Sequence, residues 1–307
     1  MRDVFVEALI EEMRVRNDIF LLTADLGFGV LHKVEDEFPN RFLNVGIAEQ
    51  NMASVAAGMA MEGLTVVCYS IGNFPTLRCL EQLRNDIGYH KANVKVVTVG
   101  GGFSYGPLGM SHHATEDLSI LRALPNFDVI VPSSMWEVAQ CVRVMFEVDG
   151  PAYLRLDKSN MPDDSAATSE LVRGEIRCVR SGTDVALVGC GGVMGNAIDA
   201  AVKLEREGIS VAVFTVPFVE PLDFASFVSN GLTQAVVVTI EENALAGGLG
   251  SKILELFADA GRQTSGLRRI GLKRAYESTV GSQEFLRERH GLDTESILAT
   301  LRRAVGQ

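Results

Sequence analysis

Residues 44–60 read NVGIAEQNMASVAAGMA, and their character changes part-way along. FLNVG, residues 42–46, has the apolar content of a short strand, and from Ile47 the spacing predicts a helix that ends at the breaker Gly63. Ala48, Ala53, Ala56, Ala57, Gly58 and Ala60 let neighbouring backbone come close, so this helix is expected to be buried on several sides. Glu49 falls in its first turn. Two readings of that acid stand side by side. It complements the positive end of the helix dipole, worth less than about 1 kcal/mol at an exposed site, or it is a carboxylate buried for chemistry.

The same strand-to-helix pattern continues in both directions. Val4, Phe5, Ala8, Leu9 and Met13 recur at helical spacing, and IFLLTADL (19–26) follows as a buried strand. Beyond the helix come LTVVCYS (64–70) as strand, PTLRCLEQLRNDIGYH (75–90) as helix and VKVVTVG (94–100) as strand. A glycine-rich loop leads to EDLSILRAL as helix, DVIVPS as strand, WEVAQCVRVMFEV as helix and AYLRL (152–156) as strand. Such alternation implies right-handed crossovers and a doubly wound α/β layer. The periodicity lapses at SNMPDDSAATSE (159–170). A second α/β set follows: DVALVGCG, VMGNAIDAAVKLEREG, ISVAVFTV, QAVVVTIEE, GLGSKILELFADAG and LRRIGLK. The expected fold class is therefore α/β with two doubly wound domains, 1–160 and 183–307, joined by a linker at 161–182. A length of 307 residues agrees with two domains of roughly 150 each.

A net charge of −11 argues against nucleic acid or an anionic membrane as the main partner. The acids in MRDVFVEALIEEM interrupt any signal-peptide core, and no run reaches membrane-spanning length. Cys68, Cys79, Cys141, Cys178 and Cys190 lie scattered, which predicts buried thiols in a reducing cytoplasm. GCGGVMG (189–195) imitates a dinucleotide loop, but Met194 takes the last glycine position, so NAD binding is a minor alternative.

GIAEQNM resembles a stretch in the pyrimidine-binding domain of the transketolase group, which includes deoxyxylulose-phosphate synthase and the β subunits of 2-oxo acid dehydrogenases. TADLG (23–27), LEQLRND (80–86), GMSHHATEDLSILRALPNFDVIVPS (109–133) and EENALAGGLGS (241–251) follow in family order, so the resemblance covers almost the whole chain. It implies a pyrimidine-binding domain followed by a transketolase C-terminal domain, with thiamine diphosphate as cofactor. Glu49 would bond N1′ of the aminopyrimidine and so favour the form whose 4′-amino group deprotonates C2. Asp25 and Leu26 would lie near the bent cofactor, with Ile71 and Phe74 forming the wall against its ring. Phe74 also fits as an ordinary core aromatic. His112 would face the substrate carbonyl or hydroxyl with His113 as second candidate, and Lys158 would stand where the family has a phosphate-binding arginine. A loop-bonding role for the histidine pair is the competing reading.

This sequence departs from the family at the substrate. Gly100 and Leu108 align with a histidine and an aspartate that bind ketose hydroxyls in ordinary transketolases, so a non-standard substrate, within a biosynthetic route, is expected. The Gly-Asp-Gly segment that carries magnesium is absent from the sequence. The resemblance thus implies a split enzyme: a separate N-terminal subunit holds Mg2+ and the diphosphate, in an α2β2 heterotetramer that also self-associates through both domains. No metal site is expected on this chain. The reaction implied is transfer of a two-carbon unit from a ketone or 2-oxo donor to an aldehyde or ketone acceptor. A 2-oxo acid dehydrogenase β subunit is the alternative, and a non-catalytic assembly subunit a further one.

Overall fold

The computed structural model describes residues 1–27, 29–162, 170–232 and 234–306. The strands are β1 (Ile19–Thr23), β2 (Phe42–Asn44), β3 (Thr65–Ile71), β4 (Val94–Val99), β5 (Asp128–Ile130), β6 (Ala152–Leu156), β7 (Arg177–Arg180), β8 (Val185–Gly189), β9 (Val211–Thr215), β10 (Phe218–Glu220), β11 (Val237–Ala244) and β12 (Leu267–Leu272). They form a seven-stranded sheet, β10-β5-β6-β4-β3-β1-β2, and a five-stranded one, β12-β11-β8-β9-β7. All pairings are parallel except β10 with β5 and β7 with β9, each at a sheet edge. Every residue of β4, β6, β8 and β9 is buried. That explains why these strands read as continuous apolar runs rather than alternating ones. The two α/β sheets are those the alternation implies.

The boundary between them is more interlaced than a simple linker. Of the stretch 161–182, residues 163–169 lie outside the described residues, and Arg177–Arg180 already pair with β9. Downstream, β10 returns to the first sheet and pairs with β5. Glu137, on the helix Met135–Glu147, anchors the crossing from inside. It is fully buried and accepts from Arg177 Nη2 at 2.7 Å, Thr215 Oγ1 at 2.5 Å and the Ser133 amide at 2.7 Å.

Three local expectations change. The helix expected over 75–90 is a helical turn at Leu80–Gln82 followed by a π turn at Leu83–Gly88. Asn126 Nδ2 donates to the freed Gly88 carbonyl at 3.0 Å, and Phe127 packs where a Cβ on Gly88 would come within 3.0 Å. The small-residue helix Glu49–Met61 buries one stripe, Glu49, Met52, Ala53, Ala56 and Ala57, rather than several sides. Gly58 meets open space. Cys178 is exposed, unlike the other four cysteines, because it lies on edge strand β7.

Removing the buried carboxylate of Glu137 would take away the acceptor shared by Arg177, Thr215 and the Ser133 amide, a loss of about 3–5 kcal/mol where a buried pair is broken on one side. Urea unfolding of Glu137→Ala should show a stability loss of that order; a change under about 1 kcal/mol would contradict the anchoring role.

Candidate active site

The ends of β1, β2, β3 and β4 all point the same way because those strands are parallel. In open α/β sheets such carboxyl ends form the ligand crevice. The turn after β1 carries Asp25, the helix after β2 begins at Glu49, the turn after β3 carries Phe74, and the loop after β4 carries the histidines.

Glu49 is only 3% exposed although it opens a helix. Its Oε2 accepts from Arg78 Nη1 at 2.7 Å, and among the described residues no other group bonds to its carboxylate. One oxygen therefore stays available. The Arg78 guanidinium also lies over the Phe74 ring, 4.6 Å from its centroid, which holds the cation by both charge and ring quadrupole. The Phe74 and His112 rings meet in a T-shaped arrangement with 5.2 Å between centroids.

His112 continues the series. Tyr105 lies 6.3 Å from it, and Lys158 Nζ sits 3.7 Å from the Tyr105 centroid. Glu49, Arg78, Phe74, His112, Tyr105 and Lys158 thus form one unbroken line of neighbouring side chains. Ser111 Oγ lies 3.0 Å from His112 Nδ1. Partial burial, with His113 as the lesser cause, holds His112 below the usual imidazole range.

His113 goes elsewhere. It is buried, its Nε2 lies 3.3 Å from the Gly106 carbonyl, and its ring meets Phe103 edge-on at 5.1 Å. It lines a cavity of about 580 Å³ with Asn73 and with Lys273, Tyr276 and His290 of the second unit. The two adjacent histidines therefore split between the crevice and the domain junction.

Two close approaches need glycine. At Gly72 a Cβ would lie 2.9 Å from the Ala114 side chain and 3.1 Å from the Gly100 carbonyl, so the turn bearing Phe74 sits against the histidine loop. Gly100 has φ +98°, and a Cβ there would fall 2.2 Å from the Tyr105 ring. No side chain fits there because Tyr105 takes the space, while Leu108 is exposed.

Asp25 is in the left-handed region at φ 55°. Asn44 Oδ1 accepts from the Asp25 amide at 2.9 Å and from the Gly46 amide at 3.0 Å, tying Asp25 to the turn that leads into Glu49. Thr23 Oγ1 donates to the Leu26 carbonyl at 2.9 Å. Leu26 and Ile71 are half-buried at strand ends, outside the line from Glu49 to Lys158. The glycine loop after β8 is closed to a nucleotide phosphate: Asp157 Oδ2 accepts the Gly192 amide at 2.6 Å, and a Cβ on Gly192 would meet Ser159 at 2.4 Å.

Residues 1–164 match the transketolase pyrimidine-binding domain, and residues 174–297 match the transketolase C-terminal domain. The chain belongs to the transketolase family. It is 33% identical to a subunit of the apulose-4-phosphate transketolase of Actinobacillus succinogenes, over 97% of this chain and 96% of that one. A putative transketolase C-terminal section from Methanocaldococcus jannaschii is also 33% identical, over 97% and 93% of the two chains. The solved structure of a split-gene transketolase, an inactive beta4 tetramer, superposes with a TM-score of 0.86 at 32% identity, over 99% of this chain and 97% of that one. These relatives are transketolase subunits or sections, which favours a transketolase-like subunit over a 2-oxo acid dehydrogenase β subunit.

Family membership implies thiamine diphosphate, and the crevice fits its aminopyrimidine end. A buried carboxylate with one uncommitted oxygen suits a ring nitrogen, and Phe74 suits the ring face. Among the described residues no group of three His, Cys, Asp or Glu is placed to hold a metal ion.

No sequence signal marks Arg78 or Tyr105. Arg78 lies four residues after Phe74 in a stretch that reads as regular helix, and Tyr105 hides in a glycine loop. Because desolvation disfavours the imidazolium, the neutral ring of His112 should persist to lower pH than in a free histidine. An NMR titration of the ring protons should place the His112 midpoint below the ordinary histidine value of about 6.5; a midpoint at or above that value contradicts the partly buried position.

Proposed function

We propose that this chain is the cofactor-activating subunit of a two-chain transketolase, with Glu49 as the activating carboxylate. The observation that carries this reading is the near-complete burial of Glu49 with one oxygen free. The supporting pattern is the line of side chains running from it to His112. Bound thiamine diphosphate supplies a nucleophilic C2 carbon for attack on the donor carbonyl. Glu49 Oε1 would be the oxygen that shares a proton with a ring nitrogen of the aminopyrimidine, and Arg78 on Oε2 fixes the carboxylate's rotamer. Phe74 orients the ring. His112, whose partial burial disfavours the imidazolium, accepts or returns a proton at the substrate oxygen. His113 has a positioning role in the loop.

A second subunit would hold the diphosphate and Mg2+, since no Gly-Asp-Gly occurs in this sequence. An α2β2 heterotetramer in the cytoplasm is the assembly that accords with this division. Among the described residues no helix is long and apolar enough to cross a membrane. The relative from Actinobacillus succinogenes is named for apulose 4-phosphate. Together with Tyr105 in place of a side chain at Gly100, this favours a non-standard ketose phosphate as donor or product, with Lys158 near its anionic end. Ordinary transketolase kinetics on xylulose 5-phosphate would contradict that substrate class.

Purified alone, the chain should show no thiamine-dependent turnover, and addition of the diphosphate-binding subunit should create it. Glu49→Gln should still co-purify with that subunit yet lose turnover by about 10²–10⁴-fold, the range for a positioned proton-transfer group. Unchanged activity of Glu49→Gln, or robust turnover by the chain alone, would refute the assignment.

A further inference from the structure

The histidine loop does not stand by itself. Gly102 and Ala114 close its base as an antiparallel bridge, with N···O distances of 2.7 and 3.0 Å, so both histidines sit on a closed excursion from the first unit. What holds the base comes from the second unit. Glu242, on β11, is 2% exposed, and its Oε1 accepts from the Phe103 amide at 2.6 Å. Gln283 Nε2 donates to the same carboxylate at 3.1 and 3.2 Å, and Arg287 Nε donates to Oε2 at 2.6 Å. Gln283 and Arg287 lie on the helix Gln283–His290.

Glycine at 102 is what lets this carboxylate in. Its φ is +55°, and a Cβ there would fall 2.5 Å from both Cγ and Oε1 of Glu242. The Glu242 carbonyl in turn accepts from Arg155 Nη2 at 2.9 Å. Arg155 is itself bonded to Asp117, at the start of the helix that follows the histidines, at 3.1 Å. Further along β11, the Ala244 amide donates to the Thr115 carbonyl at 2.7 Å. The loop is therefore gripped by β11 just after its start, through Phe103, and just after its end, through Thr115 and Asp117. The Phe103 ring is 5.1 Å from both the His113 and the His290 rings, so a shift of residue 103 bears directly on His113 and, through the chain, on its neighbour His112.

We propose that Glu242 is a positioning residue for the reaction: through the Phe103 amide the C-terminal domain sets where His112 and His113 stand. This rests on the role given to His112 above, and it assigns the second domain a task beyond packing. A buried carboxylate supplied with three sets of donors is a stiff support. Misplacing a catalytic group by about 1 Å costs up to ~10²-fold in rate.

The test uses ring-proton NMR of the full chain together with kinetics of the complex with its partner subunit. Glu242→Ala and Gly102→Ala should each shift the His112 and His113 signals and the His112 titration midpoint, while His32 and His90 stay unmoved. In the complex both should lower kcat about 10–100-fold with the apparent affinity for thiamine diphosphate within about twofold. Glu242→Gln keeps an acceptor for the Phe103 amide and should restore the histidine signals most of the way. Gly102→Ala keeps the Glu242 charge, but its Cβ would fall 2.5 Å from Glu242 Cγ and Oε1 and push that carboxylate off the Phe103 amide, so it decides the matter should Glu242→Ala fail to fold. Folded variants with unmoved His112 and His113 signals would overturn the proposal. A wild-type complex without thiamine-dependent turnover would instead refute the transferase reading, and the NMR comparison would still decide the positioning.

Discussion

A carboxylate taken out of water is costly unless something answers its charge, and Glu49 is answered twice. Arg78 bonds one oxygen, and the amide end of its own helix lends a favourable field. The guanidinium is partly exposed and rests on Phe74, so the pair is a hinge between the buried side of the crevice and its open side. Everything else in the candidate site is arranged from this point. Phe74 meets Arg78 through its ring face and His112 in a T-shaped contact, and the loop bearing His112 can come that close because Gly72 and Gly100 have no side chains.

The second dependence is electrostatic and lies deeper. Asp117, Arg155, Asp157, Glu242 and Arg287 are all buried, and they join the end of β6, the histidine loop and the second domain in one network. Burial pushes the Asp117 carboxyl up, opposed by Arg155 beside it. Such a network does little for net stability compared with apolar packing, but removing one member leaves the others uncompensated. It fixes relative placement. Gly101 shows how tightly: a Cβ there would overlap the Arg155 guanidinium.

Much of this was legible in the sequence. Parallel strands buried on both faces leave long apolar runs, and helices between them leave a 3.6-residue period, so both sheets could be read directly. Glu49 was singled out through the resemblance of GIAEQNM to the transketolase group, since an acid in a first turn by itself reads as a helix-dipole partner. The edge strands were not legible. Arg177–Arg180 is short and charged, and Phe218–Glu220 is three residues after a proline, so neither carries a period. The helices Gln283–His290 and Thr294–Ala304 are rich in charge and carried no motif. The separation of His112 from His113 was invisible for another reason. Adjacent residues diverge according to loop geometry, which Gly102, Gly109 and the Glu242 carboxylate impose from a distance.

What Glu49 does to a bound cofactor is read most directly by proton exchange at C2 of thiamine diphosphate in D2O, followed by NMR after acid quench. In the complex with the diphosphate-binding subunit, exchange should run far faster than in free cofactor. Glu49→Gln should slow it by about 10²-fold or more while the cofactor stays bound. Equal exchange rates in the two complexes would contradict the account.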